Sequence, residues 1–225
     1  MKGSDFLKNS PVVEFLRDGS ATLKKVQSPI NGELTVKWDM LSGYQIMGGG
    51  LWQVGGPVET VWKGGIKEFT KRNVLIENAL ILGVGGGTTA KLIREHWPNA
   101  KIVGVDIDPL IIKLGEEYLG LKKLDVELIV ADAFEWTQKN KKKFDVICID
   151  TYVGDSFPPQ FASSEFLESV KKSLNKDGVA IFNRIFESSQ RKASDGFLKS
   201  LKEVFGTVKE VYPSHELLNV LFVCS

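Results

Sequence analysis

Residues 79–108 read ALILGVGGGTTAKLIREHWPNAKIVGVDID, and this stretch decides the fold. A short apolar run, 79–82, stops in a glycine cluster at Gly83, Gly85, Gly86 and Gly87. A helical pattern follows over 88–96. A second apolar run, 101–105, then ends in Asp106. Strand, tight glycine turn, helix and strand make a βαβ unit. Glycine lets the backbone turn sharply and lets a ligand come close to it. An acid at the end of the second strand, about twenty residues past the glycines, can accept both hydroxyls of a ribose. The first expectation is therefore a ligand that contains a nucleoside.

The dinucleotide fingerprint G-x-G-x-x-G fails here. Counted from Gly83, its last position is Thr88. A third glycine would bring helix and strand together and leave room for a pyrophosphate. Its absence disfavours a nicotinamide oxidoreductase and points to a smaller adenosine ligand. A βαβ unit that binds no nucleotide, its glycines serving only packing, is the plainer alternative.

Composition narrows the classes further. The chain has 225 residues and 43% hydrophobic content, enough for one sizeable domain with an extension. A net charge of +1 gives no global field toward nucleic acid or an anionic membrane, so neither is expected as a partner. The lysine run 139–143 reads as a solvated loop. Cys148 and Cys224 lack C-x-x-C neighbours, so neither a disulfide nor a metal site is expected. MKGSDFLKNS is too polar for a signal peptide, and no apolar run reaches membrane-spanning length. These features predict a soluble, cytoplasmic protein.

Outward from the βαβ unit, the pattern predicts two regions. Residues 1–72 hold a short helix near 12–17 and then a small β-rich flap. Its strands are expected at 21–26, 33–38, 44–47 and 51–54, separated by Pro, Asn, Ser and Gly turns. A helix at 58–71 follows, weakened or kinked by Gly64-Gly65. Residues 73–225 form the main domain. Asp108 and Pro109 start a helix to about 119. Strands are expected at 125–130 and 144–149, the latter apolar enough to lie in the middle of a parallel sheet. A helix at 164–174, a turn at Lys176-Asp177-Gly178, a strand at 179–182 and a helix at 188–205 come next. Two consecutive strands, 207–212 and 217–224, have no helix between them and must run antiparallel. The result is an α/β fold: a Rossmann-like, seven-stranded, mostly parallel sheet with an antiparallel edge and helices on both faces. It resembles the class I methyltransferase type.

Three strand ends carry an aspartate: Asp106, Asp132 and Asp150. Ligands of open α/β sheets bind outside the carboxyl ends of the strands, so three such acids beside the glycine turn suggest one site. Asp106, with Ile107 beside it, would hold the ribose. Asp132 and the Ala133 N–H would read the adenine edge, unless Asp132 merely caps the next helix. Asp150 would lie nearest the reacting atom. The loop after it, TYVGDSFPP, is long for a βα connection. It offers Tyr152 and Asp155, either of which is otherwise an ordinary loop or turn residue.

At these residues the chain resembles the spermidine synthase family of aminopropyltransferases, from about Thr22 to the C-terminus. The resemblance rests on ALILGVGGGTTAKLI with VGVDIDP, on VELIVADAFEW, and on FDVICIDTYVGDSFPPQFASSEFLESVKKSLNKDGVAIFNR. Gln53 matches a family glutamine that contacts the nucleoside. The resemblance implies decarboxylated S-adenosylmethionine as co-substrate, a small-molecule amine acceptor, no metal and a homodimer. It places Gln53, Gly83, Gly85, Gly87, Asp106, Ile107, Asp132 and Ala133 at the nucleoside, and Asp150, Tyr152 and Asp155 at the reaction. There are departures. Gly86 stands where the family has an acid that holds the donor's amine, leaving room for a carboxylate. Trp62 and Lys63 stand where the family has a Tyr-His pair at the polyamine site, and a lysine would repel a diamine.

The chemistry implied is direct displacement at a carbon bound to a sulfonium. The leaving group is a neutral thioether, so positioning and a base near the amine suffice. Asp150 would be the base or amine anchor, Tyr152 a hydrogen-bonding helper, and Asp155 an orienting acid. Two alternatives stand beside this. One is a methyltransferase that uses S-adenosylmethionine on a small molecule. The other is a nucleoside-binding protein without catalysis. His96 and His215 are expected in structural roles at a helix end and a hairpin turn. Trp38, Trp52 and Trp62 are expected to pack the flap, with Trp52 also placed to line the pocket beside Gln53.

Overall fold

The computed structural model describes residues 10–71, 75–186, 191–214 and 216–225. The expected domain start at Asn73, the first residues of the helix expected from Ser188, and His215 lie outside them. Two sheets organise the chain. The first is antiparallel, with β1 (Ser20–Ser28), β2 (Gly32–Asp39), β3 (Gly43–Gly48) and β4 (Leu51–Val54) in simple sequential order. A short helix α1 (Pro11–Asp18) precedes it, capped by Ser10 and ended by Gly19 in the left-handed region. Helix α2 (Pro57–Thr70) leads into the second sheet and runs unbroken through Gly64-Gly65. A side chain at Gly65 would press on Leu221 and Ile181, so this glycine lets the helix lie close to the sheet.

The second sheet has seven strands in the order β10-β11-β9-β8-β5-β6-β7. They are β5 (Asn78–Leu82), β6 (Lys101–Asp106), β7 (Val126–Val130), β8 (Phe144–Ile149), β9 (Leu174–Ile185), β10 (Val208–Val211) and β11 (Asn219–Cys224). Between them run α3 (Thr88–His96), α4 (Pro109–Tyr118), α5 (Ala133–Lys139), α6 (Ser164–Lys172) and α7 (Arg191–Val204). The antiparallel edge expected from the last two strands is formed by β10 and β11. In the structure β11 pairs antiparallel with both β9 and β10, so the reversed strand is one in from the edge. The turn expected at 176–178 lies inside β9. Pairing with β8 jumps from Leu174 to Val179, and Asn175–Gly178 bulge out of the ladder.

Period-two alternation sends the strand side chains to two cores. On one face, Ala79 and Ile81 of β5 pack with α2 and α3 through Trp62, Ile66, Leu92 and Ile93. On the other, Leu80 and Leu82 pack with α6 and α7 through Phe166, Leu167, Phe197 and Leu201. A third cluster joins the small sheet to α4, with Leu34, Val36, Ile46 and Val54 against Ile111 and Leu114. This contact holds the antiparallel sheet over the carboxyl ends of β5 and β6. No described helix is long and apolar enough to cross a membrane.

Candidate active site

The site starts at the end of β5. Gly83 has φ +83°, and a side chain there would stand 2.0 Å from the Asp150 carbonyl oxygen. Only glycine allows β5 and β8 to approach so closely at their ends. The turn is then tied to β6. Gly83 N–H and Val84 N–H both donate to Val105 O, at 2.8 and 3.1 Å. Gly85 N–H donates to Asp106 Oδ2 at 2.7 Å, and Asp108 N–H donates to Oδ1 at 3.0 Å. Burial pushes the Asp106 carboxyl up to about 6, against the pull of those two N–H bonds. Each oxygen keeps a second lone pair that a ribose hydroxyl can fill.

Thr88, which breaks the dinucleotide fingerprint, is buried, and its Oγ1 accepts the Gly55 N–H at 3.0 Å. It fastens the end of the small sheet to the start of α3. Gly86 does not leave room for a carboxylate as expected. A side chain there would meet Val54 Cγ1 at 2.9 Å and Gly115 Cα at 3.3 Å. Val54 and α4 fill that space.

Asp150, at the end of β8, is held from two sides. Trp62 Nε1 donates to its Oδ2 at 2.9 Å, and Asn183 Nδ2 to its Oδ1 at 2.9 Å. Asn183 Oδ1 in turn accepts from Asn219 Nδ2 at 2.9 Å. Burial raises the Asp150 carboxyl above the ordinary range, and these two donors oppose it. Trp62 is fully buried and packs in the main core, not in the flap. Lys63 points elsewhere and pairs with Glu59 at 2.7 Å. Trp38 packs against Phe15, and Trp52 is 44% exposed with its Nε1 on Gln45 Oε1 at 2.9 Å.

The loop after Asp150 is clamped by the small sheet. Asn31 Oδ1 accepts the Gly154 N–H at 3.0 Å, while Gln53 Nε2 donates to the Gly154 carbonyl at 2.9 Å and to Gly48 O at 3.2 Å. Asn31 Nδ2 and Ser28 Oγ donate to Asp108 Oδ2 at 2.7 and 2.5 Å. Val153 and Ser156 exchange backbone hydrogen bonds, so Asp155 sits at the tip of a tight turn and is exposed. Tyr152 turns inward, and its hydroxyl oxygen accepts the Ile185 N–H at 2.7 Å.

These elements enclose a cavity of about 270 Å³. Of the residues singled out in the sequence, Gln53, Gly83, Gly85, Asp106, Asp150 and Tyr152 line it, as does Trp52. Gly87, Ile107, Asp132, Ala133 and Asp155 are not on its wall. Gly87 has φ +96° and seats the Leu121 side chain, while Ile107 is 39% exposed. Asp132 caps α5, its Oδ1 accepting from Phe134 N–H at 2.7 Å and Glu135 N–H at 3.2 Å. His96 bonds the Leu92 carbonyl at 2.9 Å at its helix end. Four wall residues with polar side chains escape the sequence reading: Asn31, Asn183, Glu216 and Asn219. Asn183 was within reach, because it lies toward the carboxyl end of a parallel strand like the three aspartates. Nothing in the sequence marks the others.

This sheet order, with a glycine turn feeding an acid at the neighbouring strand end, is that of the methyltransferase-like class of α/β folds. A probable spermidine synthase from Corynebacterium glutamicum ATCC 13032 superposes with a TM-score of 0.74 at 21% identity, over 91% of this chain and 79% of that one. The chain belongs to the spermine/spermidine synthase family: residues 66–215 match the spermine/spermidine synthase domain. A probable polyamine aminopropyl transferase of Bifidobacterium longum is 33% identical over 130 residues, 57% of this chain and 29% of that protein. A mouse eEF1A lysine and N-terminal methyltransferase is 29% identical over 137 residues, 56% of this chain and 19% of that protein. The chain thus spans well under half the length of these curated relatives.

Proposed function

We propose that the chain is a transferase that moves an aminopropyl group from decarboxylated S-adenosylmethionine to a small amine. One observation carries this choice. Asp106, Asp150 and Glu216 line the cavity, and no lysine, arginine or histidine does among the described residues. Such a wall favours cations and offers no basic side chain to a carboxylate. The decarboxylated donor carries a sulfonium and an ammonium, whereas S-adenosylmethionine adds a carboxylate. In this reading Asp106 holds the ribose, and residues 1–72 contribute Gln53 and the clamp on the loop. Residues 73–225 carry the reacting groups. The amine lone pair forms the new N–C bond as the C–S bond breaks, its electrons leave with sulfur, and the amine proton passes to Asp150. Tyr152 hydrogen-bonds the acceptor side. Asp155 has no role in this reading.

A second reading is methyl transfer from S-adenosylmethionine, since Gly86 puts no acid in the turn that would repel the donor's carboxylate. Val54 blocks any side chain there, so no acid from the turn holds a donor amine. Calorimetric titration with the two donors decides between them. Tighter binding of the decarboxylated form, by tenfold or more, is expected. Tighter binding of S-adenosylmethionine would replace the proposal with methyl transfer, and binding of neither would overturn both.

A further inference from the structure

Arg184 lies on β9 between Asn183, which holds Asp150, and Ile185, which holds Tyr152. Its guanidinium carbon stands 3.5 Å from the centre of the Phe157 ring, 4.5 Å from Phe197 and 4.8 Å from Phe186. Nε and Nη1 are buried and have no hydrogen-bond partner among the described residues. A cation in that position is costly unless ring faces or neighbouring dipoles compensate it. The rings extend the enclosure to the site, because Phe157 also packs edge-on against Tyr152 at 5.5 Å and against Phe197 at 6.3 Å. No acid neutralises Arg184 in an ion pair among the described residues. Its charge acts on the Tyr152 hydroxyl, with which it interacts directly.

The hydroxyl has one proton. Its oxygen already accepts the Ile185 N–H at 2.7 Å and has the Arg184 cation beside it. Both neighbours are donors, so the O–H hydrogen must point away from them, toward the cavity that Tyr152 lines. Burial raises the Tyr152 phenol, while the Ile185 N–H and Arg184 oppose that rise and Asp150 adds to it. The charged groups that face Tyr152 are Arg184 from β9 and Asp150 from β8. Glu216, ahead of β11, shares the cavity wall.

We propose that Arg184, caged by Phe157, Phe186 and Phe197, is a positioning residue that fixes Tyr152 as a hydrogen-bond donor into the cavity. Tyr152 then takes no proton from the acceptor, and proton acceptance falls to Asp150 alone. This rests on the acceptor-side role given to Tyr152 above, but its test uses ligand-free protein, so it can fail independently of the donor titration.

The test replaces the four tyrosines with fluorotyrosine, which lowers the phenol titration range. The Tyr152 fluorine resonance is assigned by its loss in Tyr152→Phe and followed against pH by NMR. In Arg184→Met the Tyr152 titration should move up by about one pH unit, with Arg184→Lys staying near wild type. An unchanged midpoint in Arg184→Met, or Arg184→Lys moving as far as Arg184→Met, would overturn the proposal. If Arg184→Met does not fold, Arg184→Gln takes its place with the same two outcomes.

Discussion

The two aspartates that line the cavity, at the ends of the strands on either side of β5, are held in opposite ways. Asp106 is fixed by its own neighbourhood, through backbone N–H groups of Gly85 and Asp108. Asp150 is fixed by side chains from afar: Trp62, 88 residues earlier, and Asn183, 33 residues later. Backbone donors persist through almost any substitution that keeps the turn. Side-chain donors can be changed one at a time. In the proposed reading, the donor half of the site is therefore a property of the fold, and the acceptor half is a property of a few residues that can vary while the fold stays.

Gly83→Ala attacks the point where the two halves touch. The new methyl would overlap the Asp150 carbonyl, 2.0 Å away, at a φ of +83° that alanine resists. A loss of about 4 kcal/mol or more in urea unfolding is expected, and near-native stability would show that the junction is looser than described. Asp150→Ala should lower turnover by about a thousandfold while donor affinity stays within a few-fold. Trp62→Phe, which keeps the ring and removes the N–H, should lower turnover by about tenfold. Equal damage to donor affinity in either variant would break the division between the halves.

The smallest effect is the pH response of Asp106. Its folded-state value, about 6, lies above the ordinary 3.8. Its contribution to stability is therefore fully present below the unfolded value and is lost as pH rises through 6. Between pH 7 and pH 5 the ligand-free wild type should gain stability relative to Asp106→Asn. Over the same interval its affinity for the nucleoside should fall about tenfold, because a protonated carboxyl accepts fewer hydroxyl bonds. Thermal melts of both proteins and calorimetry across this range check the sign. Affinity independent of pH would mean that Asp106 does not meet the ribose.

The same contrast explains what was legible in the sequence. The glycine turn, the strand before it and Asp106 lie within 29 residues, Asn78 to Asp106, so spacing alone exposes them. Helix α3 and strand β8 fall where periodicity puts them. The insertion of β11 beside β9 depends on pairing between distant strands, which local pattern does not encode. The bulge in β9 imitates a turn because Lys176-Asp177-Gly178 has turn composition within a continuing strand. Trp62 reads as a flap aromatic, or by resemblance as a residue of the polyamine site, and its bond to Asp150 appears only when the two are folded together. Asn31 reads as a turn residue until its amide meets Asp108 and Gly154.

Asp108 shows how deeply the two sheets depend on each other. Its carboxylate has no exposed surface, caps α4 through the Leu110 N–H, and takes its other bonds from Ser28 and Asn31 on the far sheet. A fragment that begins after residue 72 keeps all seven strands and loses those two donors. It would have to open the start of α4 to water or leave the carboxylate short of two partners. The ribosome releases the first hairpin well before Asp108 emerges, so the hairpin must wait for the residue that gives its tip a partner. The two sheets are thus expected to fold together, and the first four strands, moved alone to another scaffold, would leave Ser28 and Asn31 without their carboxylate.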